Sequence, residues 1–308
     1  MKLKQYIALV IFFISSIATY AQQYAGNTQF LWNQLAFNPA VAGSKDGLSS
    51  GLFYRNQWAG FEGAPRTENA FLHAPIAHGS FGVGLNVMRD RLGFTSTSAV
   101  QASFAYHLGM QNGTLSFGLS AEYGNTHIDW TMANPSTAGD QAIPVANIGE
   151  AFYNFGFGSY FRNERFFVGL SAPRLLETRS MFANTDNVQA ASYQTKRHVH
   201  LAGGALFRIS QNTYLHPIAM LRYVEGAPLQ ADLGVLFYVN KSIWVGPSYR
   251  LGDSFSAIFS YEITKSLKVG YAYDFTITKI QNHLGSHELY LGFNLIKKSD
   301  GYYHPRFF

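Results

Sequence analysis

Ser254-Phe255-Ser256-Ala257-Ile258-Phe259-Ser260-Tyr261-Glu262-Ile263 places Phe255, Ala257, Phe259, Tyr261 and Ile263 on one face and Ser254, Ser256, Ser260 and Glu262 on the other. Successive side chains of a strand point to opposite sides, so the stretch reads as a strand with one apolar and one polar face. The pattern repeats downstream. Leu267, Val269, Tyr271, Tyr273 and Phe275 alternate with Lys268, Gly270, Ala272 and Asp274; Leu289, Leu291, Phe293 and Leu295 alternate with Glu288, Tyr290, Gly292 and Asn294. Upstream, Leu115, Phe117, Leu119, Ala121 and Tyr123 do the same, as do Leu229, Ala231, Leu233, Val235 and Phe237. Fourteen such segments fill residues 48–297.

A soluble β-sandwich also alternates, so segment length and connection length have to decide. Many segments run about 10–13 residues, longer than an ordinary strand of about five or six and close to the roughly 9–11 of a tilted transmembrane strand. The even-numbered links are tight: 75–79, 109–113, 162–165, 210–213, 240–242 and 264–266. The odd-numbered ones are mostly longer: 59–65, 89–95, 129–149, 173–194 and 278–286, with short exceptions near 225–228 and 252–253. Short turns at one end and longer loops at the other characterise bacterial outer-membrane barrels. The expected fold is therefore all-β, a transmembrane antiparallel β-barrel of about 14 strands. Outward residues such as Val83, Leu85, Phe104, Phe157, Val168, Leu201 and Leu291 would meet lipid. Trp58, Tyr160, Phe166, Phe167, Tyr238 and Trp244, near segment ends, are expected in the interfacial aromatic girdles.

Composition agrees. The chain is 16% aromatic but only 13% charged, against roughly 25% charged in ordinary soluble domains. Mean hydropathy is nonetheless close to zero, since lipid-facing residues are diluted by lumen-facing ones. Lys2 and Lys4 ahead of the apolar run 7–17, with Thr19 and Ala21 as small residues before Gln22, read as a cleaved signal peptide. Removing those two lysines takes the net charge from +5 to +3, too little and too dispersed to argue for nucleic acid. With no cysteine, disulfides, Cys–metal sites and thiol chemistry are excluded. The expected organisation is signal peptide 1–21, an N-terminal periplasmic, lumenal or plug-like segment 22–46, barrel 47–297 and a C-terminal periplasmic tail 298–308. The even strand number puts both termini in the periplasm.

The expected inward face carries Glu122, Arg162, Arg208, Arg222, Asp232, Arg250, Glu262, Asp274 and Glu288. These charges could line a lumen that binds or conducts a solute, or simply form ion pairs filling a narrow barrel; their mixed sign argues against a strongly ion-selective pore. His198 and His200 share a strand face, but no third ligand stands at a recognisable spacing, so no metal is assigned. His283 and His287 fare no better. No Gly-x-Ser-x-Gly motif marks a hydrolase, and Gly82-Val83-Gly84 and Gly156-Phe157-Gly158 lie inside strands rather than in phosphate loops. No catalytic residue and no cofactor are assigned.

The region before the first strand contains Asn38-Pro39-Ala40-Val41-Ala42-Gly43. Tyr54-Arg55-Asn56-Gln57-Trp58 and Gly63-Ala64-Pro65-Arg66-Thr67 follow, and the chain ends Pro305-Arg306-Phe307-Phe308. In this order, after a signal peptide, these motifs resemble the PorP/SprF family of the Bacteroidota type IX secretion and gliding system. The resemblance runs essentially end to end, with no motif matched in 129–194. It implies a non-catalytic outer-membrane barrel that assists secretion of a partner adhesin or surface protein and anchors it through its C-terminal domain. Periplasmic type IX or peptidoglycan-binding components are further candidate partners. It makes Asn38, Pro39, Gly43, Tyr54, Arg55, Asn56, Gln57, Trp58 and Pro65 the candidate partner-binding residues. On residue physics alone, 38–43 reads equally as the turn that starts the barrel, with Arg55 a lumen charge and Trp58 a girdle residue. A transporter or porin for small solutes is the alternative function, and an outer-membrane hydrolase a third.

Overall fold

In the computed structural model, residues 26–132, 148–177, 179–182, 191–194, 196–278 and 284–296 are described. The signal peptide assigned to 1–21 and the tail 298–308 lie outside the described residues. So do 133–147 and 183–190, within the two longest expected loops, and His283.

Fourteen strands form the barrel. The first seven are β1 (Gly47–Asn56), β2 (Arg66–Ile76), β3 (Phe81–Leu92), β4 (Thr95–Met110), β5 (Gly113–Ile128), β6 (Ile148–Arg162) and β7 (Phe166–Arg174). The other seven are β8 (His198–Ala205), β9 (Thr213–Val224), β10 (Gln230–Val239), β11 (Ile243–Arg250), β12 (Ser254–Glu262), β13 (Leu267–Thr276) and β14 (Ser286–Ile296). Each is antiparallel to its neighbours in the chain, and β1 pairs with β14 from Gly47↔Ile296 to Asn56↔His287, closing the sheet. Closure leaves no edge, the condition for a sheet in lipid, where each unpaired backbone group costs several kcal/mol. A short hairpin, Arg179–Phe182 with Ala191–Gln194, stands apart from the barrel sheet in the link after β7.

The two faces divide as the alternation requires. Along β12 the burial pattern is strictly alternate, Ser254, Ser256, Ile258 and Ser260 buried and Phe255, Ala257, Phe259 and Tyr261 exposed. All seven residues expected to meet lipid are exposed, from Leu85 to Phe104. The even-numbered links are turns such as 77–80, 111–112 and 240–242, gathered with Ile296 at one end, hereafter the turn end. The odd-numbered links gather at the opposite, loop end. One expected loop contracts there. The link placed at 89–95 is only 93–94, because β3 and β4 stay paired out to Leu92↔Thr95.

The aromatic girdle is a correction. Tyr160, Phe167, Tyr238 and Trp244 are buried inside the barrel, each 4% exposed or less, while Phe166 faces outward. Nearness to a strand end fixes height, not side. Phe166 and Phe167 are adjacent and cannot share a face, and an outward Phe237 makes Tyr238 inward. Trp58 lies in the loop 57–65, half-buried with φ 48, its backbone N–H donating to Ser286 Oγ at 3.1 Å.

What the inward aromatics pack against is residues 26–46. These form three 3-10 turns, Phe30–Trp32, Gln34–Ala36 and Pro39–Val41. They touch the inner faces of strands all round the barrel, among them β2 through Asn69, β6 through Ser159, β7 through Ser171 and β14 through Glu288. A segment bonded to opposite walls of a closed barrel lies in its lumen. Its Gly26–Thr28 end is level with the loop end, whereas Ile296 is at the turn end, so the described chain does not start and finish on the same side.

Candidate functional site

The lumen and the segment lying in it gather Asn38, Pro39, Gly43 and Arg55 together with most of the charges expected on the inward face. At the loop end, Arg55 of β1 reaches Asp274 of β13 at 2.6 Å and Glu288 of β14 at 3.2 Å, all nearly fully buried. Thr28 sits among them. Its hydroxyl accepts from Arg55 Nη1 at 2.9 Å and donates to Asp274 at 2.9 Å, and its N–H donates to Glu288 at 2.8 Å. The Gln29 N–H donates to the other oxygen of Glu288 at 2.8 Å. One guanidinium and two peptide N–H groups thus share two buried carboxylates. Such an arrangement is stable only when every partner is present, since each ion has given up its water.

Next to it, Asp232 of β10 is held between Arg222 of β9 and Arg250 of β11; Arg250 Nε donates to it at 2.6 Å while Arg250 Nη1 reaches Asp253 at 3.4 Å. Gly26 lies so close to Arg222 that a Cβ there would collide with the guanidinium. On the other wall Arg174 of β7 makes a two-pronged contact with Glu122 of β5, at 2.6 and 2.8 Å. Nearer the turn end, Glu262 of β12 accepts from Trp244 Nε1 and Lys268 Nζ, both at 3.0 Å, and Lys268 lies over the Trp32 ring at 3.7 Å. Lumen charges are therefore cross-linked between strands, either neighbouring, as Asp232 with Arg222 and Arg250, or one strand apart, as Arg174 with Glu122 and Arg55 with Asp274. Arg208 is not among them: it is exposed at the turn end, past the break at Leu206, and its Nε donates to Ser210 O at 3.1 Å. Arg162, at the turn-end tip of β6, is half-buried.

Toward the turn end the segment is seated by shape. Pro39 opens the last 3-10 turn and Asn38 caps it, its Oδ1 accepting from Ala40 N–H at 3.0 Å, the local geometry these residue types favour. The Asn38 Nδ2 donates to Ser159 O at 3.0 Å. Wall glycines make the room. A Cβ at Gly118 would fall on the Pro39–Ala40 backbone, at Gly158 on the Asn38 amide and at Gly82 on the Ala42 carbonyl. Gly43, at φ +70, adopts a conformation that other residues avoid and lies against the Gly82 backbone, its N–H donating to His73 Nδ1 at 3.1 Å. Between the two ends Trp32 meets Trp244 edge-on at 5.0 Å and stacks with Tyr290 at 6.3 Å. Asn33 donates to Asn69, which donates to Asn86, at 2.6 and 3.0 Å. A water-sized gap of about 30 Å³ remains beside Trp32, Leu35, Lys45 and His73.

The motif residues therefore do not form one surface. Asn38, Pro39 and Gly43 are inside, at the turn-end half; Arg55 is inside, at the loop end. Tyr54 faces outward, 41% exposed. Asn56, Gln57, Trp58 and Pro65 are half-buried around the first loop, where Gln57 N–H donates to Pro65 O at 3.0 Å. His198 and His200 are buried on the inner face, their rings 6.3 Å apart and His200 edge-on to Phe37 at 5.9 Å. Among the described residues no group of three His, Asp or Glu side chains could hold a metal ion. His287, at the loop end of β14, accepts or donates a hydrogen bond with Tyr271 OH at 2.7 Å. Sequence reasoning missed Thr28 and Gly118, and noted Gly82 and Gly158 only as small residues inside strands. Nothing in their spacing distinguishes them from any other polar or small residue.

The sequence matches, over residues 19–293, the model of a family described as type IX secretion system membrane protein PorP/SprF. No curated protein matches the chain. Among solved structures it is similar to a FadL homologue of Pseudomonas aeruginosa, with a TM-score of 0.51 and 13% identity over 84% of this chain and 93% of that one. It is also similar to Omp33 of Acinetobacter baumannii, with a TM-score of 0.47 and 13% identity over 82% of this chain and 100% of that one. A third similarity is to the translocator domain of the autotransporter NalP from Neisseria meningitidis, at 0.47 and 11% over 81% and 88%. At such identities the likeness concerns the fold alone.

Proposed function

We propose, since the chain belongs to the PorP/SprF family of type IX secretion system membrane proteins, that this outer-membrane barrel is a non-catalytic secretion component. It assists export of a partner adhesin or surface protein and holds that partner at the cell surface through the partner's C-terminal domain. The observation that carries the reading is the occupied lumen. Residues 26–46 lie in the barrel lumen, hydrogen-bonded to β2, β6, β7 and β14 on its walls. A barrel so filled is a platform before it is a pipe, and that weighs against passage of small solutes. The loop end faces outward, following the habit of short periplasmic turns and longer outer loops. The loops 129–149 and 173–194 then meet the partner, while the turn end and the tail 298–308 face periplasmic type IX or peptidoglycan-binding components.

The test is capture. The tagged protein is purified from outer membranes in mild detergent and its companions are identified by mass spectrometry. A large surface protein should come with it through its C-terminal domain, and should be lost when loops 129–149 and 173–194 are shortened. A barrel recovered with no partner, conducting ions in planar bilayers, would instead support a solute transporter.

A further inference from the structure

The direction in which residues 26–46 cross the lumen has a topological consequence. At its beginning the segment touches the loop-end tips of strands. Gly26 abuts Arg222, two residues from the end of β9. Thr28 is bound by Arg55, the next-to-last residue of β1, by Asp274, two from the end of β13, and by Glu288, the third residue of β14. At its other end Gly43 lies against His73 and Gly82 near the turn-end tips of β2 and β3. The Ser44 N–H donates to Val41 O at 3.0 Å, and β1 starts at Gly47 from the turn end. The segment therefore runs antiparallel to β1 and crosses the barrel once.

Reach then decides where the mature N-terminus lies. From Gly47 to Arg55, β1 rises about 26 Å along the strand, or roughly 20 Å through the membrane at a tilt near 40°. If the signal peptide is cut before Gln22, only residues 22–25 precede Gly26. Four residues span at most about 14 Å even fully extended, and the lumen they would have to re-enter is filled by the segment itself. We infer that the mature N-terminus is presented at the loop-end mouth of the barrel, on the outer surface and on the face offered to the exported partner, rather than in the periplasm. The inference rests on the outward orientation of the loops proposed above.

The chain has no cysteine, so single-cysteine variants report position cleanly. Asn27→Cys marks the start of the segment, where Asn27 is half-buried; Glu62→Cys marks the exposed first loop; Lys241→Cys marks an exposed turn at the opposite end. Intact cells are treated with a membrane-impermeant biotin maleimide, then permeabilised and treated again. A parallel variant carries an epitope inserted after Gln23, read by antibody on intact cells, in case the thiol of the Asn27→Cys variant is too enclosed to react. Heat-modifiable migration on gels confirms that each variant is folded. The Glu62→Cys variant should be labelled in intact cells, as should either the Asn27→Cys variant or the epitope, and the Lys241→Cys variant only after permeabilisation. If Glu62→Cys is labelled in intact cells while Asn27→Cys and the epitope both wait for permeabilisation, the inference is overturned and the orientation stands. If Lys241→Cys is labelled in intact cells and Glu62→Cys is not, the orientation itself fails and the inference with it.

Discussion

The two ends of the lumen segment are held by opposite means. Around Thr28 and Gln29 the grip is charge: Arg55, Asp274 and Glu288, nearly fully buried and mutually bonded. Around Asn38–Gly43 the grip is shape: glycines in β3, β5 and β6 where any side chain would strike the segment's backbone or the Asn38 amide. A charged grip fails as a unit, because removing one partner leaves another buried ion uncompensated. A shaped grip fails by degrees, through steric overlap that neighbouring atoms partly absorb. The loop end is thus the more brittle of the two.

The largest effect is expected from Arg55→Ala, which leaves Asp274 and Glu288 facing each other without their cation. The loss should be about 3–5 kcal/mol, read as a lowered urea midpoint for the barrel in detergent. Gly118→Val should cost less, about 1–3 kcal/mol, because Pro39 and Ala40 can shift while Arg55 still grips Thr28; the same urea titration checks it. Asn38→Ala removes the cap on Ala40 and the donor to Ser159 O, and should cost about 1 kcal/mol. Lys241→Ala, at an exposed turn, should fall within about 0.5 kcal/mol of the parent. Combining Arg55→Ala with Gly118→Val sharpens the comparison. Independent grips add to within about 0.5 kcal/mol, whereas a smaller combined loss would mean that releasing one end already frees the other.

What was legible in the sequence follows the same division between outside and inside. Lipid asks only that a side chain be apolar, so the outward face of strands such as β12 and β13 could be read from parity, and the strand number with it. The lumen asks for complementarity to one particular segment, and period two says nothing of that. Tyr238 and Trp244 read as girdle residues because their height in the barrel was visible and their neighbour, Trp32, was not. Arg208 read as a lumen charge because parity was carried past Leu206, where the strand breaks; Phe207 and Arg208 pair again with Leu215 and Tyr214, but both are exposed. Asn38, Pro39 and Gly43 were noticed through family resemblance, yet what they touch, Gly158, Gly118 and Gly82, lies about 40–120 residues away and carries no periodic signal. Thr28 gave no signal: its hydroxyl bonds Arg55 and Asp274, about 27 and 246 residues away, and the N–H groups of Thr28 and Gln29 that bind Glu288 are ones any residue except proline would supply. The expectation of two periplasmic termini came from counting strands, a count that takes no notice of a segment crossing the lumen without joining the sheet; the termini themselves lie outside the described residues.

The central claim is that this barrel is closed by its own N-terminal segment and works on a protein partner rather than as a conduit for solutes. Single-protein conductance in planar lipid bilayers tests it most directly, with the intact protein beside a variant lacking residues 26–42. The intact protein should be silent and the truncated one should open discrete ohmic steps; steady stepwise conductance from the intact protein would contradict the closed lumen.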